Sequence, residues 1–431
     1  MSSRPIATSL ALCWALTHGL AATARPGGPA SPGATPRASF GAGAAAPTRL
    51  RPTSAASGRP VDVGPPERRV RLRALGVRLG QLPPGRWNAI TDVAGVKVGH
   101  TTLVSGEGPL RVGVGPVRTG VTAIIPRDEV WHRKVFASGV VINGNGMLTA
   151  LDWINEAGCL ETPIVLTDTL SVGRVSDAVV SWMMRRYPAM GVDDDVVLPC
   201  VGECDDSFLN DQRGRHVREP HVLAALDGAR SGPVAEGCVG AGTGMVAYRF
   251  KGGIGTASRV LSKVQGGWTV GVLVNANMGR REDLRIAGVP VGEQIQDLMP
   301  RRKPGEGSII VVIATDAPLL PHQLERLARR AVVGIGRTGS VVAHSSGDFA
   351  LAFSTAAAVP HVPEVLTMPL AAVNNLHLTP LFAATVEATE EAIGNALTMA
   401  TTTSGRDGHL IHALPLARVQ RLLAAAGRLQ P

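Results

Sequence analysis

The segment Gly305-Glu306-Gly307-Ser308-Ile309-Ile310-Val311-Val312-Ile313-Ala314 sets two glycines and a serine directly ahead of six apolar residues. A run this short, rich in β-branched residues and without alternation, predicts a strand covered on both faces. Working outward, 121–125 (stopped by Pro126), 139–142, 163–166, 268–274 and 350–354 read as strands too. Helical spacing runs over 148–157 with Gly158 as a stop, over 175–187, over 321–333 with proline in its first turn, and over 378–400 as one helix or two. The pattern predicts a mixed α/β fold without a solenoid repeat.

The first 69 residues differ from the rest. Arg4 precedes an apolar stretch, 6–22, and Ala22-Thr23-Ala24 offers small residues for cleavage, the layout of a secretory signal peptide over 1–24. Residues 25–69 are rich in Pro, Gly, Ala and Ser and lack the bulk to offset ordering entropy, so they read as a disordered linker. One catalytic domain is expected over 70–431. The leader implies a periplasmic or secreted protein, and a cytoplasmic one if it arises from a mis-assigned start codon. The stretch is too short and polar for a comfortable membrane span, and none is expected in the mature protein.

The net charge of +9 is concentrated in that leader, where eight arginines face only Asp62 and Glu67. The remainder is close to neutral and lacks basic runs interleaved with aromatics, which argues against a nucleic-acid partner. Cys159, Cys200, Cys204 and Cys238 show no zinc-ligand spacing, and no metal or cofactor is expected. The glycine-rich segment 251–259 lacks the Gly-Lys-Ser/Thr order of a phosphate loop and reads as close packing.

Three features bear on chemistry. Glycines before Ser308 permit the backbone to bend so that the hydroxyl attacks its own preceding carbonyl, and cleavage at Gly307–Ser308 would free an α-amine able to act as a base near neutral pH. Ser346 and Asp348 lie in a polar turn between two apolar runs, where they can orient a nucleophile. Asn277 ends a strong strand, a natural place for an oxyanion donor. Each feature alone also reads as an ordinary turn.

Together, these residues and several longer stretches carry a resemblance. The stretches are Leu82-Pro-Pro-Gly-Arg-Trp-Asn-Ala-Ile-Thr-Asp-Val-Ala-Gly-Val-Lys-Val-Gly-His-Thr-Thr102, Asn143-Gly-Asn-Gly146, Lys251-Gly-Gly-Ile-Gly-Thr-Ala-Ser-Arg259, and Ser308 through Leu324. From about Leu72 onward the chain resembles the DmpA-like self-processing peptidases, the L-aminopeptidase/D-esterase and β-aminopeptidase group. The resemblance implies an αββα four-layer sandwich of the N-terminal-nucleophile hydrolase type. It implies one cleavage, into 70–307 and 308–431, with Ser308 as nucleophile supported by Ser346 and Asp348 and with Asn277 at the oxyanion. It places the acid that holds the substrate amine on Glu203 and a substrate-positioning residue on Asp205.

The implied substrates are small peptides, amides or esters carrying an L-amino acyl, D-alanyl or β-amino acyl group, and the implied assembly is a homo-oligomer of cleaved pairs. The sequence departs from the family pattern at Asp205, where some members have tyrosine, at Met147, where many have glutamate, and at Asp348, which can be glutamate. A processed acyltransferase resembling ornithine acetyltransferase is a rival reading that Ser308 disfavours, because those enzymes use threonine. An inactive relative is another, disfavoured by the retained Ser308, Ser346 and Asn277.

Overall fold

A computed structural model describes residues 67–302, 304–305 and 307–430, which belong to one compact unit. The leader and most of the stretch 25–69 lie outside the described residues. In chain order come β1 (Lys97–Ser105), β2 (Val117–Ile125), β3 (Arg133–Gly144), α1 (Leu151–Ala157), β4 (Cys159–Leu160), β5 (Ile164–Thr167), α2 (Val172–Arg186), β6 (Cys200–Glu203) and α3 (Glu219–Asp227). A short hairpin, β7 (Val246–Ala247) with β8 (Phe250–Lys251), leads into β9 (Gly253–Val260) and β10 (Thr269–Met278). Then follow α4 (Val291–Gln294), β11 (Gly307–Thr315), α5 (Pro321–Ala328), α6 (Ala331–Arg337), β12 (Gly347–Pro360), α7 (Thr379–Met399), the β13 (Thr403–Ser404) and β14 (Leu410–Ile411) pair, and α8 (Leu416–Ala425).

Four strands in the order β1-β2-β5-β6 form one sheet, and six in the order β4-β3-β12-β11-β10-β9 form the other. Ile310, Val312 and Ala314 of β11 pack in a cluster with Ile164 and Leu166 of the smaller sheet. Their neighbours Ile309, Val311 and Ile313 pack instead with Leu324, Leu327 and Leu381 of α5 and α7. Side chains alternate faces along a strand, so a strand buried on both sides must be apolar at every position. This is why the run after Ser308 shows no alternation. Val175, Val179 and Met183 of α2 and Val222 of α3 cover the outer face of the smaller sheet through Val121, Ala123 and Val165. The layers are therefore helix, sheet, sheet, helix.

The glycine-rich segment 251–259 becomes β8 and β9, packed under α7. A Cβ on Gly255 would sit 1.9 Å from the Ala392 carbonyl, so glycine there lets helix and strand touch. Arg259 is fully buried and pairs with Glu387 at 3.0 Å and Glu391 at 2.7 Å on the same helix. Both findings agree with a packing role.

Some boundaries differ from the sequence reading. The helix expected over 321–333 is two: α5 packs on β3 and β12, whereas α6 packs on α7, and the chain bends to serve both. The helix expected from 148 starts at Leu151, because Leu148 bridges to Gly202 as extended chain. The span 378–400 is one helix, α7. Contacts with the C-terminal segment also reach back before residue 70. Glu67 accepts from the Leu416 and Ala417 amides at 2.8 and 2.7 Å, and Arg69 donates to the Leu414 carbonyl at 3.0 Å.

Candidate active site

Three neighbouring strands of the larger sheet converge on one end. In the antiparallel ladder Ser308 of β11 pairs with Asn277 of β10, and in the parallel ladder it pairs with Gly347 of β12. One register thus sets Ser308, Asn277 and the Ser346-Gly347-Asp348 turn side by side. Ser308, Asn277, Ser346 and Asp348 are all buried, none more than 5% exposed, so the reacting groups are largely shielded from solvent.

The Gly307 backbone has φ +75°, and a Cβ there would lie 1.5 Å from the Asn277 carbonyl oxygen. Only glycine can precede the serine in this geometry. The Gly347 amide donates to Ser308 Oγ at 3.2 Å, a bond that strengthens as negative charge gathers on that oxygen. The Asp348 carboxylate accepts from the Ile309 amide at 3.1 Å and from Ser346 Oγ in a short bond. Burial pushes the Asp348 carboxyl up to about 6, against the lowering pull of those two donors.

Asn277 is clamped at both ends of its amide. Its Oδ1 accepts from the Val246 amide at 2.7 Å, and its Nδ2 donates to the Asp205 carbonyl at 2.9 Å. This orientation commits one Nδ2 hydrogen and keeps the nitrogen on the Asp205 side. Asp205 enters the site through its backbone. Its exposed carboxylate turns to the Ser207 amide at 2.7 Å and Gln212 Nε2 at 3.0 Å.

Glu203, at the end of β6, is 2% exposed. It accepts from the Met147 amide at 3.0 Å and, in a short bond, from Thr169 Oγ1. Burial raises its carboxyl above the usual range, and those donors oppose the rise. A Cβ on Gly146 would lie 2.9 Å from Glu203 Oε1 and 3.1 Å from the Gly347 Cα, so the acid stands across a glycine turn from the serine cluster. Such a buried carboxylate, held by two neutral donors, suits an incoming ammonium.

Sequence reasoning missed several positioning residues. Asn143 Nδ2 donates to the Ala343 carbonyl at 2.8 Å and the Ser346 carbonyl at 2.5 Å, and Asn145 Nδ2 donates to the Ser345 carbonyl at 2.7 Å. These asparagines staple the serine turn in place, and the Asn-Gly-Asn-Gly repeat was the signal for them. Thr169 carried no signal. Cys200 and Cys204, the only closely spaced pair in the sequence, are buried free thiols whose ionisation burial pushes up. Beside the site, Met147, Trp153, Leu198 and Phe349 line an open groove of about 720 Å³.

The chain is similar to known proteins over most of its length. The profile of Peptidase family S58 matches residues 88–411. The β-peptidyl aminopeptidase BapA of Sphingosinicella xenopeptidilytica is 45% identical over 372 residues, covering 82% of this chain and 91% of the relative. A Burkholderia β-aminopeptidase structure is 48% identical with a TM-score of 0.78, covering 84% of this chain and all of the other. The L-aminopeptidase D-Ala-esterase/amidase of Ochrobactrum anthropi, described as a variant of the Ntn hydrolase fold, is 43% identical with a TM-score of 0.78, covering 84% of this chain and 99% of the other. With its αββα layers and the serine at the head of a central strand, the chain has that N-terminal-nucleophile fold and belongs to Peptidase family S58.

Proposed function

We propose that the chain is a self-processing serine aminopeptidase that removes N-terminal β-amino acyl residues from small peptides and amides. The observation that carries the peptidase reading is the single register that joins Ser308, Asn277 and Gly347. The β-amino acyl preference rests on the names of relatives 45–48% identical to this chain.

In the precursor, Ser308 Oγ attacks the Gly307 carbonyl carbon. The C–O bond forms, the C–N bond breaks, and the Ser308 nitrogen leaves as an amine. Water then hydrolyses the ester and leaves Ser308 as a new N-terminus. In turnover the same hydroxyl attacks the substrate carbonyl, with the Ser308 amine taking its proton. Asn277 Nδ2 and the backbone amides near Ser308 receive the developing oxyanion. Asp348 holds Ser346 and the Ile309 amide, fixing the strand end. Glu203 holds the substrate ammonium, which confines cleavage to the first residue.

Turnover of p-nitroanilides tests the substrate class. β-Homoalanyl p-nitroanilide is expected to be cleaved at least tenfold faster, in kcat/KM, than the L-alanyl and D-alanyl analogues. Faster cleavage of either α-amino acyl compound would reassign the preference.

Replacing Glu203 with Gln keeps its shape but removes the charge. An ammonium–carboxylate hydrogen bond contributes about 1.5–3 kcal/mol, so KM is expected to rise about 10- to 150-fold with a smaller change in kcat. Unchanged KM would move ammonium binding elsewhere.

The pH profile follows from Asp348. It must be ionised to accept from Ser346 and Ile309, and its value is raised to about 6, so activity is lost as pH falls through about 6. Stability has the opposite sign. The folded state holds that proton more tightly than the unfolded one, so ionising Asp348 between about pH 4 and about pH 6 weakens the fold. A flat kcat/KM between pH 7 and 5 would contradict this role.

We also propose a homo-oligomer and a periplasmic or secreted location. The strap after β12 supports the first, since Val362, Val365 and Leu366 stand 66–102% exposed and call for a covering surface. The signal-like layout of residues 1–24 supports the second. Sedimentation of the processed protein and N-terminal sequencing of its large chain test them.

A further inference from the structure

The β7–β8 hairpin carries one member of a second group of titratable side chains. Lys251 is fully buried. Its ammonium donates to the Gly242 and Gly252 carbonyls at 3.1 and 2.9 Å and lies beside the sulfur of Cys238. Among the described ion pairs none gives Lys251 a carboxylate. Burial lowers the Lys251 value because a buried ammonium without an anion is costly, and the thiol of Cys238 opposes that fall most, with Asp206 adding less.

The surroundings of Cys238 are built for a thiolate. The Thr401 amide and Thr401 Oγ1 donate to its sulfur at 3.4 and 3.6 Å, and Thr403 Oγ1 lies 3.8 Å away; the Thr401 carbonyl, at 3.6 Å, is an acceptor for the thiol form. Arg69, paired with Glu67 at 3.3 Å, also feels the charge of the sulfur, and its buried Nε has no hydrogen-bond partner. The other charged group coupled to the pair is Asp206, which acts on Lys251 and whose own ionisation burial strongly opposes. Burial pushes the Cys238 thiol up, but Lys251 and the threonine donors outweigh it, and the net direction is down. Cys159, Cys200 and Cys204 are buried and shifted the other way. Cys238 alone of the four is partly exposed.

This group is wired to the oxyanion side chain. Lys251 pairs with Val246 across the β7–β8 hairpin, and the Val246 amide is the donor that fixes Asn277 Oδ1. Neutralising the sulfur strands the buried ammonium, and the nearest structure to yield is that hairpin.

We infer that Cys238, with Lys251, Arg69 and Thr401 around it, is a modification site for small electrophiles and hydroperoxides, and that its modification slows the peptidase by releasing Asn277. With a hydroperoxide, the thiolate attacks one oxygen, the S–O bond forms and the O–O bond breaks. The leaving alkoxide or hydroxide takes a proton from water. The sulfur becomes a sulfenic acid, oxidised by two electrons, and the peroxide is reduced to an alcohol or water.

The test treats the processed protein with iodoacetamide and, separately, with hydrogen peroxide followed by dimedone, and maps the labelled cysteines by peptide mass spectrometry. Labelling is expected at Cys238 at least tenfold faster than for free cysteine at pH 7, with Cys159, Cys200 and Cys204 spared. kcat should fall in step with labelling while KM holds, since Asn277 acts after binding. Cys238→Ser protein, which lacks the negative charge from the start, is expected to begin at a lower kcat and to change no further under the same treatment. Lys251→Met should move the pH midpoint of alkylation upward. Should that variant fail to fold, Thr401→Val, which removes one donor, should move it upward by less. Labelling no faster than free cysteine overturns the site. Labelling at Cys238 without a fall in kcat, or an equal fall in the Cys238→Ser protein, overturns the link to Asn277. The labelling measurement does not depend on which substrate the enzyme prefers.

Discussion

Ser308→Ala protein is expected to remain a single chain and to lose aminopeptidase activity by about 10⁴-fold or more. Two reactions share this hydroxyl. In the precursor it attacks Gly307, whose φ of +75° and tight approach to the Asn277 carbonyl hold the backbone in a conformation available only to glycine. In the mature enzyme it attacks the substrate. Alanine fits the buried position, because it removes one oxygen from a side chain already 5% exposed. A folded, uncut and inactive protein is therefore expected, with the wild type giving a small chain that begins at Ser308. Thermal unfolding separates this outcome from misfolding. A cleaved Ser308→Ala protein would assign the cut to another nucleophile. A wild-type small chain starting at any other residue would move the N-terminus.

Asn277→Ala is expected to lower kcat by about 10²- to 10³-fold and leave KM within a few-fold, because an oxyanion donor is felt mainly in the transition state. The clamp from Val246 and Asp205 means that the amide is held before substrate arrives, so little reorganisation is needed when charge develops. The same clamp predicts a second effect. Alanine leaves the Val246 amide without its acceptor in a buried setting, which costs about 1–3 kcal/mol of stability. Asn277→Asp distinguishes the two effects. It still accepts from Val246 and so should recover much of the stability, yet it sets a negative charge facing the oxyanion and should be no more active than the alanine variant. Recovery of activity in Asn277→Asp would remove Asn277 from the oxyanion role.

Much of the larger sheet is legible in the sequence, and for a plain reason. β11 and β10 are covered on both faces, so their sequences are continuous apolar runs that periodicity identifies with little ambiguity. The αββα arrangement was not in the periodicity and came from the resemblance. Helix boundaries were read less well where tertiary partners changed along the chain, as at the break between α5 and α6. Glu67 and Arg69, at the end of the stretch read as a linker, are polar anchors. Their value lies in distant backbone groups of the C-terminal segment, which local composition does not register.

The site divides the same way. Ser308, Ser346, Asp348, Asn277 and Glu203 were named from sequence because each occupies a strand end or turn and because the family resemblance aligned them. What brings them together is register. Ser308 meets Asn277 and Gly347 because β10, β11 and β12 are adjacent and paired without slippage at that point. Register depends on contacts between residues tens of positions apart. The same holds for Asp205, where sequence pointed to the side chain and the structure uses the carbonyl. It holds for Cys238 and Lys251 too, whose pairing is a product of the hairpin turn and the chain after α7. By itself the sequence determined which residues have the chemistry and which strands are buried, since composition and local spacing set those. Tertiary structure decided which groups touch, how far burial shifts their proton affinities, and which face of each residue is used. Those properties belong to the space between chain segments, where hydrogen-bond geometry and loss of water act only after the layers close.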